Sequence, residues 1–197
     1  MTDINLNNIK RYKDLGNGIF LFDGAIDGGV EFREQIEKLA ENIWEENNSI
    51  NDDFGPTRKD ATIEPEVKAG NPYWKYYYET LSHCLNTYSL VTKGKESPYV
   101  LHDAPEGYKD VVHVSKYRVG GYVNTHTDND IREDDGTVTM IWYINDNYEG
   151  GEVGFIDPDI TVKPEEGDVL IFPAITPHYS KELLRGTKYL SIKQSDT

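Results

Sequence analysis

One cysteine in 197 residues rules out an intrachain disulfide and any metal site assembled from several thiolates. Cys84 fits a reducing compartment, and it falls on an apolar stripe where an inert, buried thiol is expected. Basic residues are the second shortage. Twenty Lys and Arg against 35 Asp and Glu leave a formal charge of −15. That field repels phosphate backbones, so nucleic acid is a poor partner and a basic or neutral substrate a better one. Long apolar runs are also lacking. No segment reaches bilayer length, and the opening MTDINLNNIKRYKDLG has no signal core. The expectation is a soluble cytoplasmic protein with no membrane partner. A chain of this length reads as one domain, 1–197, able to bury about 70% of its unfolded surface.

What is present divides the chain near residue 110. In 1–109, GIFLFDGAI (18–26) reads as a first strand. GVEFREQIEKLAENIWEE then places Phe32, Ile36, Leu39, Ala40 and Ile43 on one helical face. A second helix carries Trp74, Tyr77, Tyr78, Leu81, Cys84, Leu85 and Tyr88 at helical spacing, a stripe suited to core packing. Between them, residues 51–72 are rich in Gly, Pro and acids and read as a long loop, the kind that serves as a lid. From 110 to 197 the period changes. DVVHVSKYRV, GYVNTHTD, GTVTMIWYIND, GGEVGFI, ITVKP, GDVLIFP, PHYSKEL and TKYLSIKQ are short β-branched or aromatic runs punctuated by Gly, Pro and Asp. The pattern is mainly β, a sandwich or barrel core with flanking helices covering one sheet.

Within that core, GGYVNTHTDND sets His126 and Asp128 two residues apart, on one face of an extended strand. Alone the pair could be a solvated strand end. His178, in FPAITPHYS, adds a second imidazole about fifty residues later. Two histidines and a carboxylate with open positions are the facial set that non-haem Fe(II) oxygenases use. Ten residues further, RGTKYLSIK supplies Lys188, a cation that could face inward toward an acidic cosubstrate or outward to solvent.

Taken in order, these residues resemble the 2-oxoglutarate/Fe(II)-dependent oxygenase superfamily, prolyl 4-hydroxylase-like branch, over Val111 to Lys193. Tyr117 and Gly120 precede His126 and Asp128. Gly150-Gly151-Glu152 opens a strand carrying Phe155, KPEEGDVLIFP leads to His178, and Gly186-Thr187-Lys188 closes the series. Two positions depart from the branch, Val123 where prolyl hydroxylases often carry tyrosine and Gln194 where an aromatic is common.

The resemblance implies a double-stranded β-helix with Fe(II) held by His126, Asp128 and His178. 2-Oxoglutarate would chelate the iron, its far carboxylate meeting Lys188 with the Tyr117 hydroxyl as second donor. O₂ would complete the set, ascorbate would play a supporting role, and the products would be succinate, CO₂ and a hydroxylated substrate. That substrate would be a peptide or protein side chain, prolyl among the options, or a small amino acid. The alternatives are a nucleic-acid demethylase of the same superfamily, which the charge opposes, and a cupin-like binding module without turnover. His83, His102 and His113 read as structural or surface residues, and Asp130, Glu133, Asp134 and Asp135 as a solvated loop between core strands, with lining of the substrate entrance as the alternative. Arg58 is the best candidate in 51–72 for a substrate contact, with a surface salt bridge as the simpler fate.

Overall fold

Alternation of side chains along each strand decides where the two cores of this molecule lie. The structure, a computed structural model, describes residues 11–41, 44–46, 58–63, 72–94, 112–128 and 136–196. The chain begins with β1 (Tyr12–Gly16), β2 (Ile19–Phe22), α1 (Gly29–Ala40), β3 (Glu45–Glu46), β4 (Arg58–Ile63) and α2 (Pro72–Lys93). Next come β5 (Val112–Tyr117), β6 (Val123–His126), β7 (Thr137–Tyr143), β8 (Glu149–Gly150) and β9 (Val153–Phe155). β10 (Ile160–Val162), β11 (Val169–Pro173), β12 (His178–Ser180), β13 (Leu183–Arg185) and β14 (Lys188–Asp196) complete it.

The strands pair antiparallel into a large sheet ordered β1-β2-β11-β7-β14-β5-β4-β3 and a smaller one ordered β10-β9-β12-β6. One parity of the large sheet faces the helices. Phe20, Phe22, Val112, Val114, Val138, Met140, Trp142, Val169 and Ile171 share a core with Phe32 and Ile36 of α1 and Trp74, Tyr77 and Leu81 of α2. The other parity faces the small sheet, where Ile141, Tyr143, Leu170, Phe172 and Leu190 pack with Val123, Val153 and Phe155. Two sheets closed over one interior, with helices outside, form a double-stranded β-helix.

Both helices follow their apolar spacing. In α1, Phe32, Ile36 and Ala40 are buried and Leu39 partly so, while Ile43 lies outside the described residues. All seven stripe residues of α2 are buried. The Tyr77 hydroxyl, 2.7 Å from Ser191 Oγ, pins α2 to the back of β14. The GD of the KPEEGDVLIFP segment also has a structural task. Asp168 accepts from the Gly24 and Glu165 amides at 2.8 and 2.9 Å, tying the start of β11 to the turn before α1.

Two expectations need correction. A strand, β1, precedes the one expected at 18–26, which itself covers Ile19–Phe22. Residues 58–63 within the expected loop form β4, paired with β5 in full register from Arg58↔Tyr117 to Ile63↔Val112. Its outward face carries Lys59 with the buried Ala61 and Ile63, whereas its inward residues are Arg58, Asp60 and Thr62. Charged inward positions hide a strand from hydrophobic patterning. The rest of that stretch, including most of the expected lid, lies outside the described residues, as do His102 and the acidic residues at 129–135. Gly150-Gly151-Glu152 leads into β9 as expected, and β8 pairs with β13 through Leu183↔Gly150.

Candidate metal centre

His126 ends β6 and His178 begins β12, and antiparallel pairing sets the two directly opposite each other. Fifty-two residues of sequence separation thus collapse into one cross-strand pair, with ring centroids 4.3 Å apart. Asp128 lies just beyond β6, so strand alternation alone does not aim it. Its amide donates to the Ala174 carbonyl at 2.9 Å, its carbonyl accepts from Gln194 Nε2 at 3.0 Å, and its Oδ2 accepts from Thr139 Oγ1 at 2.7 Å.

These anchors turn three donors to one point. His126 Nε2 is 3.3 Å from Asp128 Oδ1 and His178 Nε2 is 3.6 Å from Oδ2, and donor atoms of the three residues lie within 4.8 Å of one another. An ion with bonds of about 2.1 Å needs neighbouring donors about 3 Å apart, so a small contraction around a cation satisfies the geometry. The far ring nitrogens support the same reading. Nδ1 of His126 lies 2.9 Å from the Asn124 carbonyl and Nδ1 of His178 2.9 Å from the Thr176 carbonyl. A carbonyl can only accept, so each Nδ1 carries the proton and each Nε2 offers a lone pair.

Charge is arranged to match. Burial pulls both imidazoles down; for His178 that prevails, but Asp128 and the Asn124 carbonyl more than offset it at His126, which is raised. Burial would raise Asp128, yet the bond to His126, the charge of His178 and the Thr139 hydroxyl hold it below its ordinary value. A carboxylate that stays ionised beside a neutral His178 is the state that binds a divalent cation.

The same cavity, about 440 Å³ counted to its open mouth, extends from these donors to Lys188. The sequence left Lys188 free to face solvent, and the structure buries it to 1% exposure. Its Nζ donates to the Gly151 carbonyl at 2.6 Å and to Ser180 Oγ at 3.3 Å. Rings of Tyr117, Tyr143 and Tyr148 lie 5.4, 5.4 and 5.9 Å from it, with no carboxylate ion pair among the described residues. Burial, only partly opposed by the charge of Glu152, pushes the amine down to about 7. A buried cation without an anion is costly, so the site is built for an anionic visitor.

Tyr117 is at once a buried aromatic and a lining residue of this cavity, its phenol raised by burial against the opposing charge of Arg58. Arg58 makes the expected salt bridge, 2.8 Å from Nε to Asp60 Oδ1, but inside the cavity wall rather than on the surface. Its guanidinium lies 5.5 Å over the Tyr117 ring. Sequence reasoning missed Tyr143 and Ser180 in the lining, Thr139 behind Asp128, and Asn145. The last bonds the Thr187 carbonyl and the Tyr189 amide, both at 2.8 Å, and so brackets Lys188. Strand parity could have signalled Tyr143; nothing local marks Asn145. His113 lies on the inward face of β5, and His83 is half-buried on α2.

Residues 112–193 match the model of the 2OG-Fe(II) oxygenase superfamily, and that span contains every residue of the cavity except Arg58. The chain carries a 2OG-Fe(II) oxygenase domain. The protein is therefore an Fe(II)- and 2-oxoglutarate-dependent dioxygenase, with O₂ as oxidant. Solved structures agree in fold. The oxygenase is 18% identical to the viral collagen prolyl hydroxylase vCPH from Paramecium Bursaria Chlorella virus-1, over 91% of this chain and 95% of that one, with TM-score 0.59. It is 16% identical to a Pseudomonas putida prolyl-4-hydroxylase, over 96% and 94%, with TM-score 0.62. To OsALKBH1 it is 15% identical, over 92% and 100%, with TM-score 0.63. At such identities the likeness is one of fold. No curated protein matches the oxygenase. Among its described residues, no helix is long and apolar enough to cross a membrane.

Proposed function

We propose that this dioxygenase hydroxylates a C–H bond of an amino-acid or peptidyl substrate, converting substrate, 2-oxoglutarate and O₂ into hydroxylated product, succinate and CO₂. One observation carries the reading. A single cavity has two imidazoles and a carboxylate at one end and, at the other, a buried lysine with no carboxylate ion pair among the described residues.

In this reading His126, Asp128 and His178 would hold the metal at one end of the cavity. When bound, Fe(II) activates O₂ against 2-oxoglutarate and so supplies the oxidising power. The protein's own part is binding and exclusion of water. Lys188 neutralises the far carboxylate, and the Tyr117 hydroxyl donates a second hydrogen bond to it. Tyr143, Leu190 and Ile192 give the cavity walls on which water gains little. Thr139 donates to Asp128 Oδ2 and keeps the carboxylate aimed toward the two imidazoles. A binding module without turnover has no use for both a donor triad and a lysine aimed across the same cavity. The whole chain acts as one catalytic domain, and its one buried thiol suits the cytoplasm. A charge of −15 speaks against a nucleic-acid substrate despite the ALKBH1-like fold.

The test is succinate formation from 2-oxoglutarate by protein loaded with Fe(II), with and without candidate substrates. Substrate-stimulated succinate with a matching gain of one oxygen in the substrate is expected. Wild-type turnover in His126→Ala or Asp128→Ala would remove that residue from the ligand set.

A further inference from the structure

Three cross-strand rungs run side by side on the inward face of the large sheet. The first is Lys188–Tyr117–Arg58, the second Leu190–Ser115–Asp60, the third Ile192–His113–Thr62. The first rung walls the metal cavity. Asp60, Ser115 and His113 from the other two line a second, wider cavity of about 930 Å³ counted to its mouth, which also reaches Lys193 and Gln194. Arg58 and Ile192 line both cavities. Gln194 also holds the Asp128 carbonyl, so this groove begins at a metal-site residue.

Polar side chains stand along one wall of the groove. Asp60 Oδ1 accepts from Ser115 Oγ at 2.6 Å as well as from Arg58 Nε at 2.8 Å, and Thr62 Oγ1 lies 3.1 Å from His113 Nδ1. An apolar occupant would strip water from these groups and return nothing. More telling is that the Arg58 cation and the Asp60 anion stand fixed beside each other, with Lys193 also in the lining. A free α-amino acid carries its ammonium and carboxylate on one carbon, equally close together. The two pairs can meet head to tail, each charge against its opposite. A peptide interior has lost both charges to amide bonds. Burial and the charges of Lys193 and Arg58 hold His113 below its ordinary value, so near neutrality it adds hydrogen bonding without disturbing this balance.

We propose that this groove is the primary-substrate site and that it takes a free α-amino acid by its head group, carboxylate toward Arg58 and ammonium toward Asp60. The side chain then runs past Ile192 toward His126 and Asp128. The inference rests on the oxygenase reading above and names its substrate class. The assignment uses residues on β4, outside the family match at 112–193.

Calorimetry on protein loaded with Mn(II) and 2-oxoglutarate tests it without turnover. The twenty free amino acids are titrated beside their N-acetyl and C-amide forms and a short prolyl peptide. At least one free amino acid should bind about a hundredfold more tightly than either capped form, each cap removing one charge. Asp60→Asn should raise the ratio of amino-acid Kd to 2-oxoglutarate Kd about tenfold or more, and Ser115→Ala should raise it less. The same amino acid should gain one oxygen when Fe(II) and O₂ replace Mn(II). Equal binding of free and capped forms, preference for the peptide, or no amino-acid binding with 2-oxoglutarate still bound would overturn the groove assignment alone. Failure to bind 2-oxoglutarate would overturn it together with the oxygenase reading. The comparison of ligands needs no variant, so a misfolded Asp60→Asn does not blunt it.

Discussion

Lys188 is held by contacts that a neutral amine could make as well: a carbonyl, a hydroxyl and three ring faces. With its amine pushed down to about 7, it loses its charge as pH rises through neutrality in the ligand-free protein. A dianion restores the charge, so 2-oxoglutarate binding takes up a proton above pH 7 and none well below it. The sign is fixed by linkage. Affinity for 2-oxoglutarate should weaken as pH rises above about 7, by up to about tenfold per unit. Titration in buffers of different ionisation enthalpy reads the proton directly, and a pH-independent affinity would place the charge elsewhere. The same shift affects stability in the opposite direction. Between about 7 and 10.5 the unfolded chain holds a proton that the folded one does not, so this group makes the empty protein more stable as pH rises there. Lys188→Ala should cost about 10- to 100-fold in 2-oxoglutarate affinity, the worth of a charge-assisted bond. Behind the metal site, Thr139 is fully buried and its hydroxyl serves Asp128. Thr139→Val keeps the shape and deletes the donor. Mn(II) titration should show about 10- to 100-fold weaker binding. Wild-type affinity would mean that Asp128 is aimed by Ala174 and Gln194 alone.

At the scale of elements, β8 and its glycines set the floor beneath Lys188. Gly150 and Gly151 have φ of 77° and 66°, and this pair of left-handed residues leaves the Gly151 carbonyl against Nζ. A Cβ on Gly150 would stand 2.3 Å from the Glu182 carbonyl oxygen, backbone that cannot step aside. Gly150→Ala should therefore lower Tm and weaken 2-oxoglutarate binding together. Gly24 gives the contrast, since its φ of 54° costs an alanine only about 1–2 kcal/mol and a Cβ there meets nothing within 4 Å. Gly24→Ala should lower Tm slightly and leave the ratio of metal to 2-oxoglutarate affinity as it was. Elements that obey a simple period were legible in the sequence. The stripes from Phe32 to Ala40 and from Trp74 to Tyr88 became helices, and each β-branched run after residue 110 became a strand. β4 was not, because RKDATI turns Arg58 and Asp60 inward, against the rule that charge faces water. That inversion is the mark of a site wall, so the strand was hidden by the property that makes it functional.

Across the whole molecule, the three candidate donors could be picked out in the sequence because His126, Asp128 and His178 sit in short motifs of fixed order. Their meeting could not be seen, since it depends on β12 pairing with β6 at His178↔His126. The groove on β4 and β5 was out of reach for the same reason, needing a register between segments fifty residues apart. The double-layered fold also gives the two ends of the cavity to different sheets. His126 and His178 belong to the small sheet and Lys188 to the large one. A ligand that touches both ends therefore ties the layers together, and binding should appear as global stability. With Mn(II) and 2-oxoglutarate each near 100 times its Kd, each ligand adds about 2.7 kcal/mol to the folded state by mass action. For a chain of this size that is a rise in Tm of about 5–10 °C per ligand. The metal increment should vanish in Asp128→Ala, and with it most of the 2-oxoglutarate increment, because the cosubstrate then has one anchor. Lys188→Ala should keep the metal increment and lose the other. Hydrogen exchange should slow in β12 and β14 alike when both ligands are present. Slowing confined to β12, or an unchanged 2-oxoglutarate increment in Lys188→Ala, would mean that the cosubstrate does not cross the cavity from one sheet to the other.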